Sequence, residues 1–196
     1  MSLVEITPES HDVRIELKYA TSDNFTGKPV YRADARCFLH AEAAEKLAVA
    51  VKLAKTQGYR FIVYDAYRPS EAQWKLWEHT PDPNFLADPR RGSPHSRGVA
   101  VDLTLCTWNF TPLDMGTAFD EFHPRSHHGR FDINAQAQRN RLLLMGIMTT
   151  AGWDFYRNEW WMGCVYLAGI INLWPMRKAR GLERLFLLAM ASWVTW

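Results

Sequence analysis

The hydrophobic pattern changes period several times along the chain. In residues 11–20 (HDVRIELKYA), Val13, Ile15, Leu17 and Tyr19 alternate with polar neighbours, which predicts a half-buried strand. The turn-forming stretch TSDNFTGKP follows. Across Ala41–Gln57, Leu47, Ala50, Val51 and Ala54 recur at helical spacing, with Gly58 placed to stop the helix. The segment YRFIVYDAY (59–67) is apolar and β-branched enough for a buried strand, closed by Arg68-Pro69. Ser70 with Gln73 three residues on predicts a capping box opening a short helix to about His79.

TPDPNFLADPRRGSP reads as a loop running to His95. VAVDLTL (99–105) then alternates as a strand, with Ala100, Asp102 and Thr104 on one face and Val101, Leu103 and Leu105 on the other. Residues 134–151 read as a helix ending near Gly152, and WDFYRNEWW (153–161) as an aromatic strand. No repeat, low-complexity tract or linker divides the chain. Strands and helices mix without a regular βαβ alternation. The expected class is therefore α+β, one small domain with a mainly antiparallel sheet flanked by helices.

Composition narrows the function classes. At 196 residues, with 47% hydrophobic and 22% charged residues, the chain can close a core and is not of disordered composition. A net charge of +2 gives no footprint for nucleic acid. Three separated cysteines, Cys37, Cys106 and Cys164, provide neither a disulfide framework nor a four-thiolate metal site. The start, MSLVEITPES, lacks a basic region followed by an apolar core, so the expected location is cytoplasmic. Of the nine tryptophans, Trp74, Trp77, Trp160 and Trp161 read as core or pocket wall.

The candidate chemistry is concentrated in Ser93-Pro-His95-Ser-Arg-Gly98-Val-Ala-Val-Asp102. An imidazole in a Gly/Pro-bounded turn lies near a carboxylate on the less apolar face of a strand. Zinc accepts that pair of donors. Spacing alone favours the plainer alternative, a surface pair or a satisfied turn.

SPHSRGVAVDLTL resembles the SxHxxGxAxD motif of zinc D,D-peptidases. LKYATSDNFTG, YDAYRP, MGTAFDEF, RSHH, NRLLL and EWW extend the resemblance, in order, to D-alanyl-D-alanine dipeptidases of the vancomycin-resistance type, over about residues 5–161. The resemblance implies a D,D-peptidase/hedgehog-like zinc fold and hydrolysis of the D-alanyl-D-alanine dipeptide to two D-alanines. By the same resemblance His95 and Asp102 are zinc ligands, Glu159 is the catalytic base and Arg68 stabilises the oxyanion. Ser93 and Asp120 hold the dipeptide, Asp120 through its ammonium group, and Asp65 orients Arg68. His127 and His128 match a family pair that does not bind metal.

The family's third zinc ligand is a histidine three residues after the base, and here that position is Met162. No histidine follows His128. A thioether is a poor zinc ligand, so the expectation is weak zinc binding and impaired activity. The alternative is an inactive remnant or a dipeptide-binding domain without zinc. From residue 162 the family likeness stops altogether, as a reading-frame shift after Trp161 would leave it. Residues 162–196 hold 4 of the 23 basic and 1 of the 21 acidic residues, so the nominal +2 belongs to this tail. Its apolar blocks, 165–174 and 185–196, are each too short to span a bilayer. An aggregation-prone, unselected end is favoured over a membrane-surface anchor.

Overall fold

A computed structural model describes residues 2–166. The remainder of the apolar and basic tail, with the expectations attached to it, lies outside the described residues. The elements in chain order are β1 (Leu3–Glu5), α1 (Pro8–His11), β2 (Arg14–Ile15), β3 (Phe38–His40), α2 (Ala41–Thr56) and β4 (Arg60–Asp65). They continue with α3 (Ser70–His79), β5 (Ala100–Cys106), α4 (Ala135–Thr150), β6 (Asp154–Phe155) and β7 (Met162–Cys164). Five strands form the main sheet in the order β2-β4-β5-β7-β6, antiparallel except for β2 with β4, and β1 pairs with β3 in a small second sheet. The class is the α+β arrangement expected from the pattern.

Helices α2 and α4 cover one face of the main sheet. Leu47, Ala50, Val51 and Ala54 of α2 and Leu144, Ile147 and Met148 of α4 pack onto Phe61 and Val63 of β4 and Val101, Leu103 and Leu105 of β5. Loops cover the other face, and every residue of β5 is buried. The alternation in 99–105 therefore separates two buried faces: one apolar, the other carrying Asp102.

A β-bulge sets what that second face presents. Phe61, Ile62 and Val63 pair regularly with Leu105, Thr104 and Leu103, after which the register shifts and Asp65 stands opposite Asp102. Without the extra residue, Asp65 would follow Val63 onto the helix-covered face. The bulge turns it to the loop-covered side, the kind of re-aiming for which a bulged strand is suited.

Three elements differ from the sequence expectation. The alternation in 11–20 yields only the two-residue β2, and Tyr19 lies in a 3-10 turn, Lys18–Ala20. Helix α3 starts at Ser70 as expected, but no side chain caps it; Gln73 is recruited elsewhere. The strand expected over 153–161 breaks after Phe155 into a turn and resumes as β7, whose Met162 pairs with Asp102. Among the tryptophans, Trp160 and Trp161 are buried, whereas Trp74 is 42% exposed because α3 turns Ala72, Gln73 and Leu76 inward instead.

Gly98 joins the His95 turn to β5 at φ +67°, and its carbonyl accepts from His40 N at 2.7 Å. A Cβ there would stand 2.7 Å from Leu3 Cδ2 and 2.9 Å from His40 N. Gly58 has the same left-handed backbone, φ +80°, with nothing within 4 Å of its Cβ position. Gly98→Ala should therefore cost roughly 2–4 kcal/mol, strain plus overlap, against about 1 kcal/mol for Gly58→Ala. Thermal unfolding of the two variants checks this; equal losses would show that the close approach contributes nothing.

His128 packs edge-on to Phe155 of β6, ring centroids 5.0 Å apart, and its Nε2 is buried without a partner. Burial, with a smaller contribution from Arg141, lowers its pKa to about 4. The unfolded chain thus binds a proton that the folded chain refuses between about pH 6.5 and 4. Stability is full above that window and falls by roughly 2–3 kcal/mol on acidification through it. His128→Gln should flatten this slope in urea titrations at pH 7 and pH 4.5, relative to the parent chain.

Candidate active site

Arg68, Ser93, His95, Asp102, Asp120, Glu159 and Met162 all line one buried cavity on the loop-covered face of the sheet. Seven positions chosen from sequence, spread over 95 residues of chain, meet at one place. The cavity is about 20 Å³, room for a water-sized occupant. Larger clefts exist elsewhere, including one of about 540 Å³ that shares Asp120, but they lack this convergence of ionisable groups.

His95 and Asp102 are arranged as metal donors. His95 Nδ1 lies 2.8 Å from the carbonyl of Ala66, a partner that can only accept, so this nitrogen carries the proton. Nε2 is left with its lone pair and faces Asp102 Oδ1 at 3.4 Å. Asp102 Oδ1 is itself buried without a hydrogen-bond partner. A bare nitrogen and an orphaned carboxylate oxygen converging in a buried space fit a cation of zinc's type, and the carbonyl behind the histidine is the usual orienting partner. Asp65, His95 and Asp102 form the one cluster of possible metal donors among the described residues. Asp65 does not complete it, because both its oxygens are engaged. Met162, opposite Asp102 in register, lines the same cavity.

Arg68 is held from several directions. Its Nε and Nη2 donate to Asp65 Oδ2 at 3.0 and 2.8 Å, and its Nη1 donates to Gln73 Oε1 at 3.0 Å. Tyr31 Oη donates to the other oxygen of Asp65 at 2.6 Å, and the Tyr19 ring lies 4.9 Å from the guanidinium carbon. Burial alone would lower the arginine's pKa; the charge of Asp65, with smaller contributions from Tyr19, Tyr31 and Asp102, more than offsets it, and the group stays charged. Five N–H groups less the three so engaged leave two for a ligand.

The two remaining carboxyls are disposed to carry protons. Burial, and then the charges of Asp102 and Asp120, push Glu159 well above the usual carboxylate range; Arg68 and a hydrogen bond from Trp161 pull the other way. Asp120 is raised in the same sense by burial and Asp102, against a hydrogen bond from Tyr19. Its Oδ2 is buried without a partner, and its backbone is left-handed, φ +57°. Ser93 Oγ accepts from the His95 N–H at 3.2 Å and so braces the His95 turn.

Glu159 sits in the turn between β6 and β7 rather than in a strand. That turn is tied to the Asp120 loop through Trp160, whose indole N–H donates to Thr117 Oγ1 at 2.8 Å. Arg141 of α4 gathers the same loop, donating to the carbonyls of Met115, Arg125 and His127 at 2.6, 2.8 and 3.1 Å. Sequence reasoning missed the parts played by Tyr19, Tyr31, Gln73 and Arg141. The alternation in 11–20 presents Tyr19 as a strand-face residue and the Ser70/Gln73 spacing presents Gln73 as a cap; nothing in that spacing joins either to Arg68.

Comparison with known proteins returned consistent findings. The sequence profile of the D-ala-D-ala dipeptidase family matches residues 1–162. A D-alanyl-D-alanine dipeptidase of Escherichia coli (strain K12) is 48% identical over 159 residues, 81% of this chain and 82% of that protein. A D-alanyl-D-alanine dipeptidase of Enterococcus faecium is 38% identical over 171 residues, 77% of this chain and 85% of the relative. A mutant of the vancomycin-resistance D,D-pentapeptidase VanY in complex with Zn(II) aligns over 81% of both chains, at TM-score 0.44 and 14% identity. A superposition that loose carries nothing about the site.

Proposed function

The chain belongs to the D-ala-D-ala dipeptidase family, and from that membership we propose that it hydrolyses the D-alanyl-D-alanine dipeptide to two D-alanines, with zinc held by His95 and Asp102. The observation that carries the reading is the convergence of six motif residues on one buried cavity, two of whose carboxylate oxygens, Asp102 Oδ1 and Asp120 Oδ2, have no partner.

His95 Nε2 and Asp102 would hold zinc, which would supply Lewis acidity at this site. The protein groups supply the rest. Glu159 takes a proton from the attacking water and returns it to the leaving amine; a carboxyl pushed upward by burial is suited to hold that proton between the two steps. Arg68 directs its two uncommitted N–H groups at the oxyanion that develops on the scissile carbonyl. Asp120 Oδ2 receives the dipeptide's ammonium group, a cation that replaces its missing partner and restores the ionised form. Ser93 holds the dipeptide while its hydroxyl keeps the His95 turn in place.

Met162 favours a second reading. With a thioether at the third ligand position, the same residues describe a domain that retains dipeptide contacts and holds zinc poorly. Metal analysis and D-Ala-D-Ala hydrolysis separate the two: stoichiometric zinc with turnover supports the peptidase, and dipeptide binding without either supports the silent domain.

Met162→His should tighten zinc binding by at least tenfold, since catalytic zinc sites use three nitrogen or oxygen ligands from the protein. Competition with a chromogenic chelator measures this, and unchanged affinity would remove position 162 from the metal site. In that background Glu159→Gln should lower kcat by at least a hundredfold while zinc stays bound. Equal loss of metal and activity would instead make Glu159 a structural residue.

A further inference from the structure

Gln73 is 2% exposed and both ends of its amide are committed. Its Oε1 accepts from Arg68 Nη1 at 3.0 Å, and its Nε2 donates to the carbonyl of Ala87 at 2.7 Å. A guanidinium can only donate and a carbonyl can only accept, so one orientation of the amide satisfies both. Ala87 belongs to the strap of irregular chain, residues 80–94, that connects α3 to the His95 turn. Phe85, Leu86 and Ala87 of this strap wall the cavity.

The strap is fastened at a second point. Tyr156 Oη and Asn158 Nδ2 donate to the carbonyl of Asn84 at 2.7 and 2.9 Å, from the turn that bears Glu159. Phe85 also stacks on Phe122, centroids 4.8 Å apart and planes 9° from parallel. One segment of chain thus bridges the arginine side and the carboxyl side of the site. The strap narrows the pocket to a volume of about 20 Å³. Lifting the strap from the pocket breaks the bond between Gln73 and Ala87.

We propose that Gln73 is a positioning residue that couples closure of the strap to the aim of Arg68. With the strap down, Ala87 fixes the amide, and the amide fixes Nη1. With the strap raised, the amide loses its second partner and can turn about its last torsion. Arg68 then keeps only the two bonds to Asp65, both on one edge of the guanidinium. With the strap down, as in this structure, the remaining N–H groups of Arg68 are held in one direction; raising the strap frees them to turn. The functional consequence rests on the dipeptidase reading; the coupling itself does not.

Two substitutions separate the two bonds. Gln73→Glu keeps an acceptor for Arg68 and loses the donor to Ala87; Gln73→Met keeps the length and loses both. In the full chain without ligand, amide hydrogen exchange over residues 82–92 should quicken about five- to tenfold in both variants, the loss of roughly one buried hydrogen bond. The guanidinium proton signals of Arg68, assigned through Arg68→Lys, should stay sharp in Gln73→Glu and broaden in Gln73→Met. If Met at 73 prevents folding, Tyr156→Phe with Asn158→Ala, which releases the strap at Asn84 and leaves Gln73 intact, decides alone: faster exchange over 82–92 with broadened Arg68 signals supports the coupling. Unchanged exchange over 82–92 in the Gln73 variants, or Arg68 signals that stay sharp when the strap is loosened at Asn84, overturns it. Where D-Ala-D-Ala is turned over, Gln73→Glu should raise KM several-fold with kcat within about twofold, and Gln73→Met should lower kcat at least tenfold. Equal kcat in the two variants would make Gln73 a plain anchor of the strap. A chain that neither binds nor cleaves D-Ala-D-Ala refutes the dipeptidase reading and leaves the spectroscopic result to judge the coupling.

Discussion

The buried pair of Arg68 and Asp65 is the constraint around which the site is built. A guanidinium taken out of water must be paired, and removing one partner of such a pair costs about 3–5 kcal/mol. The structure meets that demand with a β-bulge that turns Asp65 to the correct face, Tyr31 on the far oxygen of Asp65, and Gln73 on Nη1. Each comes from a different part of the chain. A charge kept in a dry cavity acts strongly on any oxyanion formed there, because little water screens it.

A second arginine plays the complementary part. Among the described residues Arg141 forms no ion pair; it binds three backbone carbonyls of the 115–127 loop and lies 5.8 Å from the Trp160 ring. Burial lowers its pKa to about 10, still charged at neutral pH. Where Arg68 is positioned by its neighbours, Arg141 positions them. It draws the loop carrying Asp120 and the turn carrying Glu159 against α4, which rests on the sheet. The site therefore has a rigid floor of strands and a wall of loops held by side chain-to-backbone bonds.

That division explains how much could be read in advance. Helices α2, α3 and α4 and strands β4 and β5 announce themselves through periodicity, because each has a face that must be covered by apolar neighbours. The motif residues His95, Asp102, Arg68, Ser93, Asp120 and Glu159 were legible as a resemblance, and they meet in one cavity. The misreadings fall where tertiary contacts overrule local preference. Residues 153–161 carry strand-like aromatics, yet the chain turns there so that Glu159 and Trp161 face the site. Ser70 and Gln73 have capping-box spacing, yet a buried arginine five residues earlier is a more demanding partner for the amide than an exposed helix end, where water can satisfy the N–H groups.

The sequence by itself determined the α+β class, the principal elements, the set of groups able to do hydrolytic chemistry, and the substitution of a thioether at position 162. All of these depend on residue identity and short-range spacing. Only the tertiary structure decided that Asp65 faces Asp102, that Gln73 joins Arg68 to the strap over the cavity, and that the cavity is small. These depend on a one-residue shift of register and on contacts between segments up to dozens of residues apart. A shift of one residue moves a side chain from one face of a sheet to the other, and no local pattern records which of two buried faces will receive it.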